Sequence, residues 1–169
     1  MKKIKSDIEL GAFEPVYLLY GPEAYARRSL KEMLRKAIVG DDTMNYTYRE
    51  GRDVSVSEIR EIAETLPFFA EKRLIVLENS GLLKKGGEDM AAYIPEIPET
   101  TALVFVEEEV DKRSRLYKAI DKCGHAAECA RLSDEDRKRM ALAFFAKHGQ
   151  RITEEAMELF IDRTGEDMD

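Results

Sequence analysis

The residues that come nearest to a catalytic pattern are Gly21-Pro22-Glu23-Ala24-Tyr25-Ala26-Arg27-Arg28. They lie between the apolar run Pro15-Val16-Tyr17-Leu18-Leu19-Tyr20 and an amphipathic stretch, so they form a strand–turn–helix connection. P-loop nucleotide hydrolases place G-x-x-x-x-G-K-[ST] at such a turn. There backbone N–H groups cradle phosphate, the lysine reaches the outer phosphates and the hydroxyl holds magnesium. Gly21 is in register for the first glycine, but Ala26 stands at the second, Arg27 at the lysine and Arg28 at the hydroxyl. A Cβ at position 26 crowds a backbone that must approach phosphate closely. Pro22 has no N–H to give, Glu23 brings like charge, and a guanidinium at 28 does not ligate magnesium. The run Leu74-Ile75-Val76-Leu77 ends in Glu78-Asn79, not in the Asp-Glu pair that would hold the metal. Three readings fit: an ATPase with an odd motif, a connection that merely shares P-loop geometry, or a P-loop-type scaffold without the chemistry. The mismatches favour the third, which predicts no catalysis and no cofactor.

Other candidate constellations are weaker. Cys123 and Cys129 flank His125, but a structural zinc site closes with four ligands, and His148 belongs to a different helical pattern. Cys123 falls on an apolar helix face and reads as a small packed hydrophobe; a disulfide is not expected in a cytosolic chain. Glu107-Glu108-Glu109 follows a strand end, where open α/β folds bind ligands. Such a run is either a carboxylate metal site or, more commonly, a solvated loop. Neither histidine lies near a nucleophile motif. No metal is predicted.

Leu66-Pro67-Phe68-Phe69 is the most unusual local feature. It joins a helix ending near Leu66 to a strand beginning near Lys72, a short connection of the kind that runs over a surface. One reading has one phenylalanine capping the core and the other covering a helix end. The alternative is an exposed apolar plug for a partner's pocket.

The elements that must position these residues follow from apolar periodicity. Residues 16–20, 73–77 and 102–106 are continuous apolar runs that read as strands buried on both faces. Asn45 to Arg49 is a further strand candidate with Tyr46 and Tyr48 on one side, and 126–130 a last short one. Helical stripes are Leu30, Met33, Leu34, Ala37 and Ile38; then Ile59, Ile62, Ala63 and Leu66, capped by Ser55 or Ser57 and broken by Pro67. A short helix carries Met90, Ala91 and Ile94, and another carries Leu116, Ala119, Ile120 and Cys123 before Gly124. The alternation predicts an α/β fold, a mostly parallel sheet with helices on both faces. After Arg131 the pattern turns all-helical. Ser133 caps a helix with Met140, Ala141, Phe144, Phe145 and His148 on one face. Thr153-Glu154-Glu155 opens another with Ala156, Leu159 and Phe160 inward, and Gly165 stops it. Glu166 to Asp169 read as the start of a third. The expected division is 1–130 and 131–169, with the chain ending inside the second domain. With 169 residues, 36% charged and a net charge of −7, the chain reads as a highly charged protein that works through protein partners. It does not read as one that grips phosphate backbones. No apolar stretch is long enough to span a membrane and no signal peptide is evident, so a cytoplasmic location is expected.

Three segments, Pro15 to Gly21, Leu66 to Arg73 and Phe105 to Arg113, together resemble the delta subunit of bacterial DNA polymerase III, in order and spacing. The resemblance implies an AAA+-like N-terminal domain, a helical lid, here partial, and a C-terminal collar domain absent from this chain. It implies a non-catalytic subunit of the nucleotidyltransferase complex that hydrolyses no ATP and binds and helps open the beta sliding clamp during replication. It further implies that gamma/tau and delta-prime subunits are partners of the full-length protein, and that DNA is met only through the complex. Leu66, Phe68 and Phe69, turned by Pro67, match the family's clamp-binding plug. The wider clamp-binding pattern is Gln-Leu-x-Leu-Phe; this chain has Thr65 at the glutamine and Phe68 at the second leucine. An active AAA+ ATPase of replication or repair is the alternative.

Overall fold

The computed structural model describes residues 2–131 and 133–164. In chain order the elements are α1 (Lys2–Leu10), β1 (Val16–Tyr20), α2 (Ala24–Ile38), β2 (Tyr46–Glu50), α3 (Val56–Glu64), β3 (Arg73–Glu78), α4 (Glu88–Tyr93) with a following 3-10 turn, β4 (Thr101–Glu107), α5 (Arg115–Cys123), β5 (His125–Glu128), α6 (Asp134–Lys147) and α7 (Glu154–Thr164). The chain separates into two compact units, Met1–Cys129 and Ala130–Asp169.

In the first unit, all five strands are parallel, in the order β2-β3-β4-β1-β5. The central strands β1, β3 and β4 are buried along almost their whole length, whereas β2 and β5 at the edges are partly exposed. That is why the central three are continuous apolar runs: helices cover both faces. Alternate strand residues divide into two cores. Val16, Leu18, Tyr20, Ile75, Leu77, Leu103 and Phe105 pack against α3, α4 and α5. Tyr17, Leu19, Leu74, Val76, Val104 and Val106 pack against α1 and α2. Gly124, between α5 and β5, is obligatory for a spatial reason, since a Cβ there would overlap the Val16 carbonyl.

Several local expectations need correction. The amino-terminal segment, to which sequence reasoning assigned no element, is a helix. Ile4 is buried in the core and Asp7 is tied to the Tyr17 hydroxyl at 3.0 Å. In α2 the stripe holds at Leu30 and Leu34, but Ala37 is exposed. Helix α3 is capped by Ser55, whose hydroxyl accepts from the Glu58 N–H, and ends at Glu64. Leu66 therefore does not continue its buried stripe. It stops before Pro67 because Pro disfavours helical geometry in the residue ahead of it.

In the second unit, Ser133 caps α6 by accepting from the Asp136 N–H. Phe144 and His148, expected on the inward face, are exposed; Phe145 is half-buried and meets Phe160 edge-on. Among the described side chains of α7 the buried one is Met157, not Ala156 or Leu159. Residues 156, 157 and 159 to 161 are all apolar, so periodicity alone leaves the phase of that helix open. Gly165 and Glu166 to Asp169 lie outside the described residues.

Candidate functional site

In a parallel sheet every strand-to-helix connection leaves one edge and every helix-to-strand connection enters at the other. Gly21-Pro22-Glu23, between β1 and α2, lies at the carboxyl edge. Leu66-Pro67-Phe68-Phe69, between α3 and β3, lies at the amino edge.

The carboxyl-edge turn is closed by its own neighbours. Gly21 N–H donates to the Glu107 carbonyl at 3.2 Å, and Glu23 N–H donates to the Cys129 carbonyl at 3.1 Å. Pro22 has no N–H, so none of the turn's backbone donors is left for a phosphate. The Arg27 guanidinium folds back and donates to the Gly21 carbonyl. Ala26 and Arg28 are already on α2, with Ala26 packed against the second core. Gly21 has φ +123°, and a Cβ there would collide with the Cys129 carbonyl, so this glycine serves the turn itself.

The carboxylates nearby are also committed. Glu78, at the end of β3, accepts from Lys31 Nζ at 2.6 Å and the Tyr48 hydroxyl at 3.1 Å. Glu107 is buried and accepts from the Ser80 N–H at 2.9 Å and the Ser80 hydroxyl at 2.5 Å. Burial raises the Glu107 carboxyl above the usual carboxylate range, and the Ser80 bonds oppose that rise. Glu109 pairs with Lys84 at 2.6 Å, and Glu108 is exposed. Tyr20, its hydroxyl 3.2 Å from Glu128 and 3.3 Å from Tyr117, joins β1, β5 and α5; burial pushes it up to about 12. Cys129 sits in the core against α1 and α2, whereas Cys123 packs on the opposite face of the sheet, so the two do not converge on one ion. Among the described residues, no cluster of His, Cys, Asp or Glu is placed to hold a metal.

The amino-edge tip has the opposite character. Leu66 is 75% exposed, Phe68 57% and Phe69 95%. The two rings meet edge-on at 4.5 Å between centroids, forming one apolar knob. The backbone beneath them is held by residues that sequence reasoning did not single out. The Asn45 side chain accepts from the Phe68 N–H at 2.7 Å and donates to the Phe68 carbonyl at 2.8 Å. Asp42 accepts from the same Asn45 amide nitrogen at 2.6 Å, a bond that holds the Asp42 carboxyl below its ordinary range. Arg73 donates to the Thr65 and Leu66 carbonyls at 3.3 and 3.4 Å. The Thr101 hydroxyl donates to the Ala63 carbonyl at 2.7 Å. The available signal was a charged residue, Arg73, opening an otherwise apolar strand, and an Asx-turn pair, Asp42 and Asn45, just ahead of β2.

Fold and site together describe a parallel α/β scaffold whose Gly21 turn is tied to its own neighbours and whose opposite edge carries an exposed apolar knob. Comparison with known proteins sharpens this class. Residues 17–130 match the family described as DNA polymerase III, delta subunit, and the chain belongs to that family. It is 27% identical over 148 residues to DNA polymerase III subunit delta of Bacillus subtilis, covering 76% of this chain and 41% of that protein. The fold is similar to that of a solved Bacillus subtilis DNA clamp loader delta protein, with a TM-score of 0.76 and 24% identity over 95% of this chain and 51% of the other. It is also similar to the Thermotoga maritima RuvB Holliday junction branch migration motor, with a TM-score of 0.62 and 16% identity over 96% of this chain and 55% of the other. The chain thus spans about half, or less, of the length of these relatives. Among the described residues no helix is long and apolar enough to cross a membrane.

Proposed function

We propose that this chain is the clamp-gripping part of a replicative clamp loader, binding the beta sliding clamp and helping to open it without hydrolysing ATP. The observation that carries the reading is the exposed knob of Leu66, Phe68 and Phe69 on a tightly held turn. Large apolar groups left in water at a fixed position mark a contact surface. Family membership supports a clamp as the partner that receives them. The absence of an ATPase role is supported by the turn at Gly21, with Arg27 bonded to its carbonyl and Ala26 and Arg28 on the helix, and by the pairing of Glu78 with Lys31. In this reading residues 1–130 are the AAA+-like clamp-binding domain and 131–169 are part of a helical lid. Gamma/tau and delta-prime subunits meet the full-length protein, and DNA is reached only through the complex.

Phe68→Ala combined with Phe69→Ala tests the reading. Anchors that fill a desolvated pocket typically cost about 2 kcal/mol or more on truncation. Clamp binding, followed by surface plasmon resonance, is expected to weaken by roughly thirtyfold or more, at about 1.4 kcal/mol per tenfold. The melting temperature is expected to stay within about 2 °C of the parent, because the rings add little to the core. Undiminished binding by the double variant removes the plug. Calorimetry with ATP is expected to give no saturable heat; micromolar binding would restore the alternative of an active AAA+ ATPase.

A further inference from the structure

Phe69 has φ +50°, a left-handed conformation that a bulky side chain rarely adopts. Such a conformation persists only where the surroundings over-determine it. Here they do. The first unit buries few polar side chains: Asp7, Asn45, Arg73, Ser80, Thr101 and Glu107. Three of them, Asn45, Arg73 and Thr101, stand at the amino edge of neighbouring strands and bond the backbone from Ala63 to Phe68. Asn45 is fully buried and makes the only bonds among these that straddle the residue next to Phe69, one to each backbone polar group of Phe68. The orientation of its amide is not arbitrary. Asp42 requires the nitrogen side, so the oxygen is left facing the Phe68 N–H.

We infer that Asn45, oriented by Asp42, is a positioning residue for partner binding: it holds the Leu66–Phe69 turn in its binding geometry before the partner arrives. This rests on the reading of the tip as the clamp-binding plug. The physical effect is preorganisation. An unpinned turn has to be ordered on docking, and that entropy is subtracted from affinity. Asn45 touches no partner in this scheme; it acts through Phe68 and Phe69.

The test uses the full chain, its sliding clamp and a double-mutant cycle. Asn45→Ala is expected to weaken clamp binding about tenfold. It is also expected to speed amide hydrogen exchange at Phe68 while leaving the protection of Leu103 to Val106 in β4 unchanged. In the Phe68→Ala/Phe69→Ala background the same change is expected to cost nothing further, because there is no plug left to position. An equal loss in both backgrounds would show a general structural role and overturn the inference. Wild-type affinity for Asn45→Ala, with the plug double variant defective, overturns the inference alone and leaves the clamp-binding reading intact. Normal binding by the plug double variant overturns that reading instead. Should Asn45→Ala fail to fold, Asp42→Ala leaves Asn45 in place but frees its amide to turn. Two- to fivefold weaker binding with faster exchange at Phe68 supports the inference, and wild-type behaviour in both measurements overturns it.

Discussion

The turn at Gly21 and the tip at Phe68 are both short connections of one parallel sheet, and both tie backbone polar groups to partners inside the protein. The results are opposite. At Gly21 the bonds come from neighbouring main chain and from Arg27 of the following helix, so the turn is drawn in against the frame. At Phe68 the bonds come from buried side chains beneath the turn, Asn45 and Arg73, so the apolar side chains are displaced outward. An unpaired buried backbone group costs about 1–3 kcal/mol, so each connection had to find partners somewhere. The direction those partners come from decides whether a turn projects its side chains into water or becomes a piece of frame.

If this contrast is right, substitutions at the two sites separate affinity from stability. The largest effect is expected from Phe69→Asp. A carboxylate carried into an apolar pocket without a partner is heavily penalised, so clamp binding should fall by a hundredfold or more in a direct binding assay. The melting temperature should barely move, because this ring is almost wholly in water. A large loss of stability would show that the knob belongs to the frame. Gly21→Ala should give the reverse. The added Cβ meets the Cys129 carbonyl at a left-handed φ, a strain of about 1–3 kcal/mol, so thermal unfolding should shift down by about 5 °C. Protein that remains folded should bind the clamp with unchanged affinity. Weaker binding by the folded fraction would mean that the two edges are coupled.

The smallest effect is expected at Glu107, whose carbonyl closes the Gly21 turn and whose carboxyl holds Ser80. Its folded-state carboxyl is raised by burial, so ionisation costs the folded state as pH climbs from the unfolded value through the folded one. Glu107→Gln keeps an oxygen for both Ser80 donors and removes the charge. The variant should melt at the same temperature or up to about 2 °C higher at pH 7, with the difference vanishing near pH 4. A clear drop at pH 7 would show that the negative charge itself supports the turn.

The central strands were legible because burial on both faces demands unbroken apolar runs, which no surface element mimics. The edge strand β2 was legible through Tyr46 and Tyr48, which take cation contacts from Arg35 and Lys31 of α2 on one face. The first helix was not legible. Its core contacts are Ile4 and Ile8, supplemented by the polar tie from Asp7 to Tyr17, and a single i, i+4 pair is too short to read as a period. The inward face of α7 was misread because its apolar residues are nearly contiguous, so the neighbouring helix chooses which one to bury.

The sequence by itself determined that a parallel α/β frame would form, that Ala26, Arg27 and Arg28 stand where a phosphate cradle has glycine, lysine and a hydroxyl, and that two phenylalanines follow a proline between a helix and a strand. These are matters of residue type and local spacing. It left open whether those phenylalanines cap a core or face water. Tertiary structure decided that, by bringing Asn45 to Phe68 across 23 positions of sequence and setting Arg73 under the end of α3. Hydrogen bonds between residues so far apart leave no periodic trace. They exist only once the sheet has aligned the strands that carry them.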